Sequence, residues 1–268
     1  MAEQPRIRPV VLTIAGLDPS GGAGIVADIK TIAAFGCAPA AAVTSITFQN
    51  TVGVYGAQHQ TAATLREQVE PILADLSVVA TKTGMLPTAE IVTEVVRLFS
   101  ETELPHPVID PVMISTSGHD LIGTEAFEVL KTKLLKVARI VTPNIPEAER
   151  LAGFAINNRA DMRRAAEAIK ELGAAAVLVK GGHRLDDSGN EAVDVLLNQF
   201  GQFTEFREEF VEVGELHGSG CTLSAAIASC LGLGMTLEEA VEEAKRYVTD
   251  LIRTLKQLPP AGHGARPL

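Results

Sequence analysis

The sequence predicts an α/β protein with a mostly parallel central sheet and helices on both faces. Short apolar runs alternate with stretches of helical periodicity along most of the 268 residues, and a βα repeat of this kind needs right-handed crossovers. Of these residues, 46% are hydrophobic and 21% are charged, a composition that allows a sizeable core. We therefore expect one domain over residues 1–268.

Four βα units come first along the chain, each an apolar run followed by a helical pattern. They cover residues 10–15 and 23–35, 41–47 and 62–73, 77–81 and 88–99, and 108–110 and 124–135. Further strands are expected at 139–142 and 175–179, and an antiparallel hairpin is expected to turn at 200–202. Two helices starting near Gly220 and Thr236 finish the fold, and the Pro- and Gly-rich residues 258–268 are expected to form a loop or a frayed end.

Charge and cysteine content exclude several classes of function. A net charge of -10 opposes binding to nucleic acid or to an anionic membrane surface, because those partners attract clustered Lys and Arg. The three cysteines are widely spaced, so neither a structural zinc site nor a redox dithiol is expected. Residues 1–9 lack the apolar core of a signal peptide. We expect a cytoplasmic protein that binds neither nucleic acid nor membrane.

One long stretch carries no acidic or basic residue apart from His59. It runs from Lys30 to Arg66, and its glycines, proline and polar side chains interrupt the apolar character too often for a membrane span. Two interpretations are open. The stretch is a buried central strand with its loops, or it is a neutral pocket wall that faces an uncharged heterocycle or polyol.

A glycine-rich turn at residues 16–24 closes the first strand and opens the first helix, where backbone N–H groups can meet a ligand. Part of this turn fits a loose dinucleotide fingerprint. That reading fails, because no acidic residue occurs between Ile29 and Arg66 to bind a ribose. A Walker P-loop is excluded as well, since no Gly-Lys pair is followed by Ser or Thr.

A second glycine-rich turn, residues 217–222, precedes a strongly helical stretch. Gly218 and Gly220 let successive backbone N–H groups point at one spot, and the helix dipole adds partial positive charge there. The turn could thus be an anion hole for a phosphoryl group in transfer. The alternative is a helix start capped by Ser219. Cys221 is either an inert core residue or a thiol whose pKa is lowered at the helix N-terminus.

Four polar residues also follow predicted strands. Asn144 and Glu147 could hold a magnesium ion through water beside nucleotide phosphates, or they could simply cap a helix. Lys180 could bind a ligand or be an exposed surface lysine, and Asp110 could serve magnesium or form a turn. All of them fall where an open α/β sheet builds its site, and together they favour phosphoryl transfer.

Seven motifs follow one another along the chain. They are Ile14-Ala15-Gly16-x-Asp18-Pro19-Ser20-Gly21-Gly22-Ala23-Gly24, Gln49-Asn50, Lys82-x-Gly84-Met85, Asp110-Pro111-Val112-Met113, Thr142-Pro143-Asn144-x-Pro146-Glu147, Lys180-Gly181-Gly182-His183 and His217-Gly218-Ser219-Gly220-Cys221-Thr222-Leu223-Ser224. This set resembles the motifs of the hydroxymethylpyrimidine/phosphomethylpyrimidine kinases of the ribokinase-like superfamily. The resemblance runs in the family's order from Val10 to about Leu251.

The resemblance implies a three-layer α/β/α sandwich with a ribokinase-like, mostly parallel sheet. It implies ATP-dependent phosphorylation of 4-amino-5-hydroxymethyl-2-methylpyrimidine, and then of its monophosphate, in thiamine biosynthesis. ATP and Mg²⁺ are the expected cofactors, and a homodimer is the expected assembly.

The resemblance also implies roles for individual residues. The catalytic set is expected to be Gly218, Ser219, Gly220, Cys221 and Lys180, with Cys221 where most sugar kinases of the superfamily have an Asp base. Substrate contacts are expected from Gln49, Gly16, Asp18, Met85 and Met113. The nucleotide is expected near Asn144, Glu147, Lys180 and Thr222, with magnesium near Asp110 and Glu147.

Some features depart from the family pattern, and some alternatives stay open. Leu17 stands where Ser or Thr is usual, Ser219 stands where Thr is common, and the tail lacks the usual ending with a final His. A pyridoxine or pyridoxal kinase is the closest alternative, although residues 114–121 lack the Cys that such kinases often carry there. A non-catalytic nucleotide-binding sensor is disfavoured because Lys180, Asn144, Glu147 and Cys221 are retained together. A thiol hydrolase using His217 and Cys221 lacks an obvious orienting partner.

Overall fold

The computed structural model describes residues 8–115, 118, 120–182 and 190–268. Its strands are β1 (Val10–Leu17), β2 (Ala38–Gln49), β3 (Val54–His59), β4 (Val78–Thr83), β5 (Val108–Ile109), β6 (Ile140–Val141), β7 (Val177–Val179), β8 (Glu191–Leu197), β9 (Phe203–Glu209), β10 (Leu216–His217) and β11 (Arg266–Pro267). Its α-helices are α1 (Gly24–Ala34), α2 (Ala62–Asp75), α3 (Ala89–Glu101), α4 (Thr124–Thr132), α5 (Ile145–Ala152), α6 (Arg159–Glu171), α7 (Ser219–Gly232) and α8 (Leu237–Lys256).

Nine strands form one sheet in the order β3-β2-β1-β4-β5-β6-β7-β8-β9. Six neighbouring strands in this order, β2, β1, β4, β5, β6 and β7, run parallel to one another. At the two ends, β3 pairs antiparallel with β2, and β8 and β9 add antiparallel to β7. The hairpin predicted around residues 200–202 is confirmed as the β8–β9 connection.

Helices cover the sheet on both faces, and two apolar cores result. Alternate residues of β1 supply both cores: Leu12 and Ile14 pack beneath α2 to α6, while Val11 packs beneath α1, α7 and α8. The predicted three-layer α/β/α sandwich with a mostly parallel sheet is therefore confirmed. None of the helices in the described part of the chain is both long and apolar enough to cross a membrane.

The stretch between residues 30 and 66 forms the end of α1, the interior strand β2, the edge strand β3 and the start of α2. The sequence pattern did not predict β3. Strand β2 is hydrogen-bonded to β1 and β3 and buries Thr44 and Ser45, so the buried-strand interpretation holds for part of the stretch. Phe48 and Tyr55 of the β2–β3 hairpin are 52% and 69% exposed.

The tail is more ordered than a loop or a frayed end. The Ala265 N–H donates to the Thr51 carbonyl oxygen (2.8 Å), and β11 pairs with β10. The Leu268 N–H also donates to the His217 carbonyl oxygen (3.1 Å). The prediction is correct for the irregular segment before Arg266 and wrong at its end, which bridges the β2–β3 connection and the turn before α7.

Candidate active site

A cavity of about 1040 Å³ opens along the carboxyl edge of the parallel strands. Twelve of the fourteen predicted site residues line it: Gly16, Asp18, Gln49, Met85, Asp110, Asn144, Glu147, Lys180, Gly218, Ser219, Gly220 and Cys221. Residues far apart in sequence meet here because each parallel strand of the sheet ends at the same edge.

The two glycine-rich turns interlock at this edge. Gly218 has a φ of +89°, and a Cβ added to it would lie 1.8 Å from the Gly22 carbonyl oxygen. A Cβ on Gly24 would lie 2.2 Å from the Gly16 carbonyl oxygen. Neither position has room for a side chain. The contact between the turns therefore depends on glycine at 218, and the close approach of the two ends of the first turn depends on glycine at 24.

Asp18 organises the first turn. Its carboxylate accepts hydrogen bonds from the N–H groups of Ser20 (2.8 Å), Gly22 (3.1 Å) and Ala23 (2.9 Å), and it lies 2.9 Å from His217 Nε2. Burial acts to raise the pKa of Asp18, but hydrogen bonds from His217 and Ser20 outweigh it and hold that pKa well below its usual range. The carboxylate is occupied by the protein itself, and the predicted contact with substrate stays a prediction.

Gln49 and His217 face each other at one end of the cavity. Gln49 Nε2 lies 3.2 Å from His217 Nε2. Gly16 packs against Met85, since an added Cβ would lie 3.0 Å from the Met85 Sδ. This end of the cavity therefore combines the amide of Gln49 and the imidazole of His217 with the thioether of Met85. Such a lining suits a small polar heterocycle.

The N-terminus of α7 faces the same cavity. Gly218 is the residue before the helix, and no side chain caps it, so the alternative that Ser219 caps this helix is wrong. The first turn of a helix leaves backbone N–H groups without intrahelical partners. Those of Ser219, Gly220 and Cys221 belong to that turn, and they suit a phosphoryl group.

Lys180 and Asp110 lie beside this turn. Lys180 Nζ is 3.0 Å from Asp110 Oδ1, and the lysine side chain is only 12% exposed, so the surface-lysine alternative is wrong. A Cβ on Gly220 would lie 3.0 Å from Lys180 Nζ. Burial acts to lower the pKa of Lys180, but the charges of Asp110 and Glu147 raise it above its usual value. The lysine is a buried cation next to the first turn of α7.

Asn144 and Glu147 form a reciprocal capping box at the start of α5. The Glu147 N–H donates to Asn144 Oδ1 (2.9 Å), and the Asn144 N–H donates to Glu147 Oε2 (2.9 Å). The helix-capping alternative is thus realised, although both residues also line the cavity. No cluster of three metal-binding side chains occurs in the described ranges. Asp110 and Glu147 supply hard oxygen atoms that fit magnesium through bound water.

Met113 and Thr222 correct the sequence reading. Met113 is fully buried in the core beneath α2 to α6, and Thr222 is 2% exposed. The Thr222 N–H donates to the Gly218 carbonyl oxygen within α7 (2.9 Å). Neither side chain lines the cavity.

Cys221 lines the cavity, but its electrostatic environment differs from the expected one. Burial raises the pKa of its thiol to about 12, against the opposing effects of Lys82 and of the Gly24 N–H, which bonds to the sulfur. The expectation that the helix N-terminus lowers this pKa is wrong, since burial is the larger effect. A thiol hydrolase loses support for the same reason, although His217 does have an orienting partner in Asp18.

The sequence model of the family described as phosphomethylpyrimidine kinase matches residues 18–268. The chain belongs to this family. It is 38% identical over 253 residues to a hydroxymethylpyrimidine/phosphomethylpyrimidine kinase of Bacillus subtilis, covering 94% of this chain and 92% of that protein. The family resemblance carried by the motifs is confirmed.

Some relatives are longer. The thiamine biosynthesis bifunctional protein ThiED of Geobacter sulfurreducens is 42% identical over 260 residues, which cover 97% of this chain and 52% of that protein. The chain likewise spans 45% and 49% of the chloroplastic bifunctional enzymes of Oryza sativa and Arabidopsis thaliana. It therefore spans about half the length of these three relatives.

Solved structures agree with the fold. A phosphomethylpyrimidine kinase from Clostridium difficile is similar with a TM-score of 0.80 and 42% identity, covering 91% of this chain and 100% of that one. An ADP complex of Bacillus subtilis pyridoxal kinase is similar with a TM-score of 0.86 and 34% identity, covering 97% and 96%. Both structures are therefore similar to this chain in backbone, and the phosphomethylpyrimidine kinase is more similar to it in sequence.

The far end of the cavity was missed by the sequence reading. It is lined by residues of β8, of the segment between β9 and β10, and of α8. There Asp194 Oδ2 lies 2.8 Å from Lys245 Nζ, and Asp194 Oδ1 accepts the Gly181 N–H (2.8 Å). The sequence did contain a signal for this part of the cavity. Asp194 is an acidic residue between the apolar Val193 and Val195 of a strand.

Glu147 gives the protein a pH dependence that can be measured. Burial, helped by the negative charge of Asp110, raises the pKa of Glu147 to about 7 despite Lys180. A carboxyl with a raised native pKa binds more protons folded than unfolded, so its contribution to stability is lost as pH rises from about 4.5 to about 7. Above pH 7, we expect Glu147→Gln to be more stable than the parent by about 1–3 kcal/mol in urea unfolding.

Glu239→Gln is the matched control. Glu239 forms the same capping box with Thr236 at the start of α8, but it is exposed, and its pKa is lowered by its hydrogen bonds to Thr236. The contribution of Glu239 to the free energy of unfolding is lost as pH falls. Above pH 7, Glu239→Gln should therefore be no more stable than the parent protein. An equal gain in both variants would contradict the assignment to Glu147.

Proposed function

We propose that this protein transfers the γ-phosphoryl group of ATP to 4-amino-5-hydroxymethyl-2-methylpyrimidine, and then to its monophosphate, in thiamine biosynthesis. The observation that carries this proposal is that the N-terminus of α7 and the Lys180–Asp110 pair face one cavity with the Gln49–His217 end. An anion hole and a neutral heterocycle pocket then share one space.

The first step needs a base, and Cys221 takes that part. The thiolate accepts the proton of the hydroxymethyl group. At the same time the hydroxymethyl oxygen bonds to the γ-phosphorus of ATP, and the bond between the γ-phosphorus and the β,γ-bridging oxygen breaks. ADP leaves, and the thiol afterwards returns its proton to water. The N–H groups of the second glycine-rich turn stabilise the charge on the transferring phosphoryl oxygens.

Lys180 steadies the nucleotide phosphates as a buried cation. Magnesium supplies neutralisation of phosphate charge when bound, and Asp110 and Glu147 would hold it through water. Asp110 also orients Lys180, whose Nζ is 3.0 Å from its Oδ1.

A pyridoxal kinase is the second candidate, and the observation that favours it is the TM-score of 0.86 to Bacillus subtilis pyridoxal kinase. The identity of 34% to that structure is lower than the 42% to the phosphomethylpyrimidine kinase from Clostridium difficile. The pyrimidine assignment is therefore preferred.

The test is ADP release with magnesium-ATP and each of four acceptors. They are the hydroxymethylpyrimidine, its monophosphate, pyridoxine and pyridoxal, with a control that lacks any acceptor. We expect turnover of the first two. Turnover of pyridoxine and pyridoxal alone would leave the assignment of the active site unchanged. It would replace the proposed function with a kinase of vitamin B6 salvage.

We also infer a homodimer and a cytoplasmic location. The exposed Phe48, Val52 and Tyr55 of the β2–β3 hairpin lie close together in sequence at a sheet edge, where apolar exposure is common in interfaces. The net charge of -10 opposes binding to nucleic acid and to anionic membranes, so we propose neither as a partner. Light scattering coupled to gel filtration should give the mass of two chains.

A further inference from the structure

The last residues of the tail lie beside the strand that leads into the second glycine-rich turn. The Arg266 N–H donates to the Glu215 carbonyl oxygen (2.8 Å), and the Leu268 N–H donates to the His217 carbonyl oxygen (3.1 Å). These bonds accompany the pairing of β10 with β11, and β10 ends at His217, where the turn begins. We call residues 265–268 the tail clamp.

The tail clamp also bonds to the connection between β2 and β3. The Ala265 N–H donates to the Thr51 carbonyl oxygen (2.8 Å). A Cβ added to Gly264 would lie 1.9 Å from the same oxygen, and one added to Gly262 would lie 2.5 Å from Thr51 Oγ1. The tail backbone therefore lies directly against this connection, which begins after Gln49 at the end of β2.

The first glycine-rich turn meets the tail clamp at His217. A Cβ added to Gly22 would lie 2.5 Å from His217 Cδ2 and 2.9 Å from Pro267 Cβ. The His217 Nε2 in turn lies 2.9 Å from Asp18 Oδ2 and 3.2 Å from Gln49 Nε2. A displaced clamp would therefore release a side chain that contacts the Gln49 amide directly.

A second, smaller cavity of about 320 Å³ shares two lining residues with the main one. Gln49 and His217 line both cavities, and Ala265 of the clamp lines the smaller one. The clamp thus lies next to the Gln49–His217 end, where the acceptor is proposed to bind.

Global stability is a weak reason for these contacts. Within residues 257–268, which the structure describes throughout, only Ala265 is buried. Its side chain is a single methyl group, so the segment removes little apolar surface from water and adds little hydrophobic stability. Its backbone N–H groups bond instead to Thr51, Glu215 and His217, which line the two cavities.

We propose that the tail clamp is a positioning segment that keeps His217 and the β2–β3 connection, and through them the Gln49 amide, arranged for acceptor binding. The inference deepens the proposed function, on which its effect on phosphoryl transfer rests. Without the clamp these groups would become ordered only when the acceptor binds, and the cost of ordering them would weaken acceptor binding. Asp194 and Lys245 at the far end belong to β8 and α8, which the clamp's backbone bonds do not reach, so magnesium-ATP binding should change little.

The test removes two donors of the clamp. Proline has no backbone N–H, so Ala265→Pro/Leu268→Pro deletes the bonds to Thr51 and His217 and leaves the donor to Glu215 in place. We expect KM for the hydroxymethylpyrimidine to rise at least tenfold in this variant, which corresponds to about 1.4 kcal/mol. KM for magnesium-ATP, and kcat at saturating acceptor, should stay within threefold of the parent, because saturation restores the ordered arrangement.

Ala265→Ser/Leu268→Ala is the matched control. It changes the same two side chains and keeps both N–H groups, so KM for the acceptor should stay within threefold of the parent. Amide hydrogen exchange gives a second readout that requires no catalysis. Residues 49–53 and 216–218 should exchange at least tenfold faster in the proline variant and at the parental rate in the control. Deletion of residues 265–268 repeats the test should the proline variant fail to unfold cooperatively.

Four results would overturn the proposal. The first is an unchanged acceptor KM or unchanged hydrogen exchange in a folded proline variant, and the second is an equal rise in KM for acceptor and nucleotide. The third is a control as impaired as the proline variant. The fourth is unfolding of both the proline and the deletion variants, which would assign the segment to stability.

Failure of the proposed function would look different. If the parent protein turns over pyridoxal alone, the same KM comparison is made with pyridoxal as the acceptor. Faster exchange in the proline variant, together with no turnover of either pyrimidine by the parent protein, would contradict the proposed function and leave the positioning role intact.

Discussion

Cys221→Ala should lower kcat for the hydroxymethylpyrimidine by about a hundredfold or more, the usual range for loss of a general base. The loss with the monophosphate should be less than about tenfold. A phosphomonoester has a second pKa of about 6, so its oxygen is already ionised at neutral pH and attacks without a base. Steady-state ADP release with the two acceptors, at saturating magnesium-ATP, measures both values.

Cys230→Ala is the matched control for this variant. Cys230 lies on the same helix, α7, but is fully buried in the core and away from the cavity lining. The same atoms are removed, so any loss from packing should lower stability and leave the ratio of the two activities unchanged. Equal losses with both acceptors in Cys221→Ala would contradict the base.

The pH profile gives an independent check of the same base. Burial raises the pKa of Cys221 to about 12, so the thiolate fraction rises tenfold for each pH unit through the neutral range. We expect kcat for the first acceptor to rise from pH 7 to 9 and kcat for the second to be nearly level. Level profiles for both would show that no thiolate takes part.

The sequence predicts the fold and most of the cavity because both follow from local patterns. Apolar runs and helical periodicity identify the βα units. The site residues Asp110 and Lys180 stand directly after β5 and β7, and Asn144 follows β6 after Thr142 and Pro143. In a parallel sheet those positions share one edge, so their proximity needs no further information. The same logic fails for the edge strand β3, whose residues have a burial pattern without regular alternation.

Electrostatics of the site could not be predicted in the same way. A helix N-terminus lowers the pKa of a thiol, but the depth of Cys221 and its nearby carboxylates are tertiary properties, and they reverse the sign. Lys82 was visible as part of a motif, and Asp28 was visible as an acid in α1. Their pairing, 54 positions apart, appears only once β4 lies beneath α1.

Gly218→Ala should lower kcat with both acceptors by at least about a hundredfold, since loss of one donor of an oxyanion hole alone has that effect. The new Cβ would lie 1.8 Å from the Gly22 carbonyl oxygen, so the turn before α7 must move and carry the N–H groups of Ser219 and Gly220 with it. Both steps use the same anion hole, so both should fail. This equal loss distinguishes the variant from Cys221→Ala.

Gly234→Ala separates the clash from backbone strain. Gly234 has the same φ of +89°, but an added Cβ there meets no atom of the described chain within 4 Å. Each variant should lose about 1–2 kcal/mol of unfolding free energy from the left-handed conformation, and Gly234→Ala should keep its activity. If Gly218→Ala also keeps its activity, phosphoryl transfer does not depend on the interlocked turns. The anion hole would then have to be sought among other N–H groups, since Gly218 is the residue that joins the start of α7 to the first turn.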